Sequence, residues 1–446
     1  KGFLINLLFI GLFAIISVIY FYPLLSGKQI KQSDIDQFSG MSKQIVDHRT
    51  QYDEEPFWLD NAFLGMPSYQ VLVEYPFDLL DKLDQLIRFL PRPADYLFVY
   101  LVSFFLLLLT MKVKSEYAFI GAIAFAFSTY LIIILGVGHN TKALAIGYSP
   151  IVLAGLFKIL EKKYLVGFII GALGLGLQIN ANHYQMTYYF LMLVGLITII
   201  NVFDDFFKKK ITDGLNKIGI VCATTLFAIS LNATAILATQ EYSDFSTRGS
   251  SETSINPDGS EKEDLSGLSN EYITEYSYGK LESFNLIVPR FMGGGSSELI
   301  DKDSDFVKEL KNYDNESANI IYQNARLYWG NQPIVAAPAY IGISVFYIFL
   351  LALFFIDKKQ LKWVIPAIIF SLTLSWGKNF QFLTDFMINY FPFYDKFRAV
   401  SSIQVIIEFI IPLIATIGLF KFFQTNVIDK EKMKKLLYTS SIFIFI

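Results

Sequence analysis

Long apolar runs separated by short polar turns dominate this chain. Runs close to the roughly 20 residues that a helix needs to cross a bilayer fall at 3–22, 96–111, 117–136, 143–160, 164–180, 184–203, 215–236, 335–356, 361–376, 400–422 and from 436 onward. They predict ten complete transmembrane helices and the start of an eleventh. Their length and continuity exclude a membrane barrel, whose strands are short and alternate in polarity. Two long polar stretches interrupt the series. The predicted organisation is a first transmembrane helix at 1–22, a long loop at 23–95, helices 2–7 at 96–236, a second long loop at 237–334, and helices 8–11 at 335–446. The chain starts at Lys1 rather than methionine and stops inside the apolar run SIFIFI, so both ends read as cut.

Composition agrees with this pattern. The 446 residues are 53% hydrophobic, 16% aromatic and 17% charged, against about 25% charged in soluble domains. The expected class is therefore an all-α polytopic membrane protein. Its single cysteine, Cys222, excludes an intrachain disulfide.

Charge becomes informative once it is divided between the loops. The loops after predicted spans 2, 4, 6, 8 and 10 are short and together hold 17 lysines and 8 acids. Short lysine-rich loops stay in the cytoplasm. The long loops 23–95 and 237–334, the turns GVGHNTK and NANHYQ, and the stretch GKNFQFLTDFMINYFPFYDKFR then face outward. All three histidines and all seven arginines fall on that outer side. Guanidinium suits bidentate phosphate binding, so the split points to an anionic ligand at the outer surface.

Candidate chemistry gathers on the same face. Asp34 and Asp36, in QSDIDQ, follow the first span closely. They point the same way if the segment is extended and adjacent ways if it is helical, and each can serve as base, as metal ligand, or as a plain solvated acid. His139, Asn140 and Lys142, in GHNTK, bring an imidazole and an ammonium to the mouth between spans 3 and 4, as phosphate binders or as interfacial anchors. Asn180, Asn182, His183 and Gln185 open span 6. No pair of histidines or cysteines at zinc spacing accompanies them. In the second long loop Arg248, Lys280, Arg290 and Arg326 can contact phosphate, while Tyr278, Tyr328 and Trp329 can stack on a sugar ring or rest among headgroups. Its acidic middle, NPDGSEKEDLSGLSNE, reads as mobile. GGGSS lacks the lysine of a nucleotide-binding loop. Arg398 lies at the start of predicted span 10 and Glu408 about ten residues deeper, where a carboxylate needs a partner, a proton or water. The glycines of GFIIGALGLGL predict close helix packing.

SDIDQFSGMSKQI, EEPFWLDNAFLGMPSYQ, GHNTKALAIGYSP, NHYQMTYY, STRGSS, YSYGKLES, YWGNQP and PFYDKFRAVSS occur in this order between residues 33 and 402. On these stretches the chain resembles the bacterial YfhO-like membrane protein family, grouped with GT-C-type glycosyltransferases. The resemblance implies a GT-C-like helix bundle with two long extracytoplasmic loops, in the bacterial inner (cytoplasmic) membrane, working on the cell envelope. It implies a polyprenyl-phosphate sugar donor held at the lipid boundary and an acceptor that is a glycan, a lipid or a protein, with no nucleic acid involved. It also implies Asp34 as catalytic base, Asp36 being at a variable position, or as ligand to a divalent cation such as Mg or Mn.

The expected reaction is inverting sugar transfer. Arg398, Arg248, Lys142, His139 and His183 are the candidates for the donor phosphate, and Trp329, Tyr278, Asn182 and Gln185 for sugar or acceptor contacts. Two other classes remain open: a transporter or flippase for a lipid-linked substrate, and a structural subunit of an envelope complex. Paired repeats with interrupted helices near the midplane would mark a transporter, and the sequence shows no such symmetry.

Overall fold

The computed structural model describes residues 2–249, 255, 258–260, 267–424 and 430–445. Half of the acidic stretch read as mobile, 256–257 and 261–266, lies outside these residues. Two compact units appear: Lys1–Ala126 with Ile134–Leu268, and Phe127–Ile133 with Ser269–Ile446.

The first unit is built on apolar helices. They are α1 (Gly2–Tyr20), α4 (Ala94–Thr110), α5 (Ser115–Ala126), the later part of α6 (Thr129–Val137), α7 (Asn140–Leu160), α8 (Tyr164–Asn180), α9 (Tyr184–Phe207) and α10 (Ile211–Leu231), followed by α11 (Ala233–Ser243). Between α1 and α4 the first long loop folds into α2 (Ser33–Tyr52), a two-stranded hairpin β1 (Trp58–Leu59) and β2 (Met66–Pro67), and a short amphipathic helix α3 (Leu79–Ile87). Ile45, Leu59 and Ala62 form a small core for this loop, with Met41, Met66, Val71 and Leu72 around it. Gly65 needs its positive φ at the hairpin turn, where a Cβ would also strike the Trp58 ring.

Among the described residues five helices are long and apolar enough to cross a membrane, or six if the pair α5 and α6, bent by 53°, counts as one span. That is fewer than the ten runs read from hydropathy. Helices α4 and α8 have 17 residues each, or about 26 Å at 1.5 Å per residue, just under the hydrocarbon thickness of about 30 Å. The run at 335–356 forms a helix only over Ile343–Ala352. An apolar run therefore marks chain out of contact with water, not the length of the helix within it. Helix α1 exposes Phe3, Leu4, Leu8, Ile15 and Ile19, an apolar face that water would not tolerate and lipid would.

Glycine governs the closest packing in this unit. A Cβ on Gly155 of α7 would lie 2.4 Å from the Gly171 Cα of α8, and one on Gly174 would lie 2.8 Å from the Val152 backbone. The two helices touch backbone to backbone, as the glycines of GFIIGALGLGL predict. Gly155→Leu should cost about 3 kcal/mol, since overpacking a tight contact forces the backbones apart. Gly195→Leu, where a Cβ meets nothing within 4 Å, should be tolerated. Monodisperse protein surviving a heating series in detergent checks the pair.

In the second unit the helices are α12 (Asn270–Thr274), α13 (Asp305–Glu309), α14 (Asn315–Asn324), α15 (Ile343–Ala352), α16 (Lys358–Ser375), α17 (Gln381–Tyr390), α18 (Val405–Phe423) and α19 (Lys430–Phe445). A 3₁₀ segment, Val400–Gln404, leads into α18, which is almost wholly buried. Gly418 lets α18 approach Ala352 of α15, whose Cβ a side chain at 418 would strike.

Candidate functional site

The loop helix α2 begins at Ser33, with Gln32 extended before it at φ −126° and ψ 117°. Asp34 and Asp36 occupy its first turn, where carboxylates favour the positive end of the helix dipole. Gln32 extends its side-chain amide to the Leu135 carbonyl of α6. The turn after α6 then passes so close to α2 that a Cβ on Gly138 would lie 3.0 Å from Gln32 Cβ and 3.1 Å from Ile35 Cγ1. With φ at +89° as well, position 138 accepts glycine and little else. The next residue, His139, is the N-cap of α7. Its Nε2 lies 2.9 Å from Asp34 Oδ2, both side chains being a little under half exposed.

Burial, and then the charge of Lys142, push the His139 imidazole below its usual value, outweighing the opposite pull of Asp34. At neutral pH the ring is therefore uncharged, and the 2.9 Å contact has Nε2–H donating to the carboxylate. His183 caps α9 with its Nδ1, which accepts from the Met186 N–H at 3.4 Å. Burial, with Lys142 next, pushes it down to about 3. Both imidazoles feel Lys142, and His183 also feels His139. Asp34, His139, Lys142 and His183 thus share one neighbourhood. Within it Lys142 contributes an ammonium side chain, while the histidines act as neutral hydrogen-bonding groups.

The sign of the His183 shift makes a prediction. A histidine at about 3 when folded and near 6.5 when unfolded binds its proton more readily in the unfolded chain. Its stabilising contribution is complete above pH 6.5 and is lost as pH falls toward 3. His183→Asn keeps a capping acceptor that does not titrate, so its thermal midpoint should fall less than that of wild type between pH 7 and pH 4.5.

Asp36 does not complete a two-carboxylate site. In a helix residues i and i+2 do not face each other, and Asp36 is exposed while Asp34 turns toward His139. Among the described residues no three His, Cys, Asp or Glu side chains gather where they could hold a metal. Mg is commonly held by one or two carboxylates together with waters and substrate phosphates, and of the two aspartates only Asp34 turns toward this neighbourhood. On the neighbouring turn Asn182 takes a left-handed φ of 57° and is exposed. The Gln185 amide donates to Tyr189 at 2.9 Å.

The other candidates are distributed differently. Arg248 is exposed in the turn after α11, its backbone N–H on Ser246 Oγ. Arg398, Trp329, Tyr278 and Glu408 belong to the second unit. Arg398 donates to the Tyr272 hydroxyl at 2.6 Å and stacks over that ring. Trp329 is 73% exposed, whereas Tyr278 is 4% exposed and has no open face for a sugar. Around Tyr278 the motifs YSYGKLES and YWGNQP are tied through buried Glu282. Its carboxylate accepts from Tyr328 at 2.6 Å, Gln332 at 3.0 Å and the N–H groups of Gly279 and Asn331. Tyr328, read as a stacking ring, serves this network. Arg290 pairs with Glu298 at 2.7 Å.

A buried ion cluster in the first unit escaped the reading by motif. Arg88, at the end of α3, binds Asp84, reaches Asp95 at 2.9 Å and stacks over Tyr96, while the Tyr148 hydroxyl donates to Asp84 at 2.6 Å. Asp78 caps α3 and accepts from Asn180 at 3.0 Å. The i,i+4 spacing of Asp84 and Arg88 was visible, but nothing local signalled that the pair would be buried. The cluster fastens the first long loop, through α3, to helices α4, α7 and α8.

No family model, curated protein or solved structure matches this chain.

Proposed function

We propose that this chain is a membrane glycosyltransferase of the GT-C type, related to the YfhO-like proteins, which moves a sugar from a polyprenyl-phosphate donor to an extracytoplasmic acceptor with inversion. The observation that carries this reading is the pairing of Asp34 with His139 beside Lys142, at the start of the helix that follows the first apolar span. The lysine-rich short loops support an outward-facing site in a bacterial inner membrane.

In this mechanism His139, as a neutral donor, fixes Asp34 Oδ2, and Oδ1, held only by a long contact from Ser33 Oγ at 3.4 Å, turns to substrate. Asp34 takes the proton from the acceptor hydroxyl as its oxygen bonds to the anomeric carbon. The bond from that carbon to the phosphate oxygen breaks on the opposite side, and polyprenyl phosphate leaves with the electron pair. Lys142 offsets the charge that grows on the leaving phosphate, and the Asp34 carboxylate favours the oxocarbenium-like transition state. Arg248, in the same unit as Asp34, is a further candidate for the phosphate.

The test is transfer itself. Purified protein in lipid vesicles, given a synthetic polyprenyl-phosphate sugar with a radiolabelled sugar and a cell-envelope acceptor fraction, should move label to the acceptor and release polyprenyl phosphate. Movement of intact donor across the bilayer without cleavage would replace this reading by lipid-linked transport.

A further inference from the structure

Helix α18 carries one carboxylate, Glu408, in an otherwise apolar run. The side chain is fully buried, and neither of its oxygens has a hydrogen-bond partner among the described residues. One turn earlier Gln404 is also buried, with its amide oxygen unpartnered. Residues four apart lie on one helix face, so the three oxygens line the same side. Ser128, 1% exposed at the break before α6, brings its hydroxyl toward Glu408 without completing a hydrogen bond of normal geometry. Pro412 lies four residues after Glu408. It has no N–H, so the Glu408 carbonyl lacks its usual helical donor.

These groups form a set of oxygen acceptors with one hydroxyl among them and, among the described residues, no cation paired to the carboxylate. Buried polar groups are normally satisfied, and each exception needs a physical reason. An unpaired charge inside a bilayer-embedded helix is costlier still. By contrast Glu282, also buried, receives four donors. The same unit can therefore satisfy a carboxylate with protein donors, and at Glu408 it leaves both oxygens without one, although the Ser128 hydroxyl points toward it and the Tyr278 hydroxyl feels its charge.

We propose that Glu408, Gln404, Ser128 and the freed Glu408 carbonyl form an intramembrane site for a monovalent cation of the sodium class. The ligands are all hard oxygens, which suits an alkali ion. One carboxylate is neutralised by one unit of charge, whereas a calcium or magnesium site collects more acidic ligands or waters. Helix interruptions that free backbone carbonyls are also where membrane proteins hold sodium, and this site has one at Pro412. The inference stands apart from the proposed transfer reaction.

Thermal unfolding of the purified chain in nanodiscs, started in N-methylglucamine buffer, tests it. Sodium chloride should raise the midpoint saturably, choline chloride at equal ionic strength should not, and radiolabelled sodium should bind with saturation. Glu408→Gln should abolish the saturable binding, and Gln404→Leu should weaken it about tenfold, or roughly 1.4 kcal/mol. If Glu408→Gln does not fold, the wild-type titration and Gln404→Leu decide alone. Absence of any sodium-specific shift or binding in the wild-type chain would overturn the proposal and leave Glu408 as a protonated or hydrated acid. Binding that survives both substitutions would overturn it too, by placing the ion elsewhere.

Discussion

Asp34→Asn should lower sugar transfer by about 10²–10⁴-fold, the usual contribution of a positioned general base, while the protein stays folded. Asparagine keeps the shape and can still accept a hydrogen bond from His139, so the 2.9 Å contact has no reason to collapse. What disappears is the ability to take a proton. Asp36→Asn is the internal control. Its side chain is exposed on another face of the same helical turn, and activity should stay within about twofold, as for surface changes remote from the chemistry. His139→Gln should fall between the two, because it removes the group that orients Asp34 without removing the base. Initial rates at saturating donor, with folding checked by the thermal midpoint, separate the three. Full activity in Asp34→Asn would remove the base from the mechanism, and equal losses in Asp34→Asn and Asp36→Asn would reduce both to structural roles.

Arg88→Met should destabilise the first unit by about 3–5 kcal/mol, the cost of removing one partner from a buried ion pair. The substitution leaves Asp84 and Asp95 facing each other with side-chain exposures of 6% and 1%. Arginine is held well above its ordinary range here because the two carboxylates more than offset the burial that opposes its charge. Combining Arg88→Met with Asp84→Asn and Asp95→Asn should restore much of the loss, since the amides carry no stranded charge and residue 84 can still accept from Tyr148. Midpoints of detergent-solubilised protein report both effects. If Arg88→Met melts with wild type, the cluster is not what fastens α3, and packing of Leu80 against Val99, Tyr148 and Leu177 carries that role alone.

The tie between these two predictions is the first long loop. Its far end is anchored by α3 and the ion cluster, while its near end presents Asp34 to the turn before α7. A loop held at both ends keeps a carboxylate in place without demanding a hydrogen bond from every residue between. Its middle has its own restraints: Arg49 bridges Glu55 at 2.8 Å and Glu74 at 2.6 Å, and the Gln44 side chain accepts from the Asp60 N–H at 2.9 Å. EEPFWLDNAFLGMPSYQ, a stretch that carried the family resemblance, is thus largely architectural.

Amino-acid order alone determined the helical, strongly apolar character of this protein, because hydropathy is a local property that each run carries within itself. It likewise announced close packing at the glycines of α8, since a helix face too small for side chains serves close approach, though not that the partner would be α7. It could not choose between extended and helical forms of QSDIDQ, and so could not say that Asp34 and Asp36 diverge. The meeting of Asp34 with His139, the silent charge on His183, the enclosure of Tyr278 and the burial of Arg88 were decided by tertiary structure. Each depends on chain that is distant in sequence, and the free energy of a polar group is set by the neighbours that folding brings to it, which no local pattern specifies.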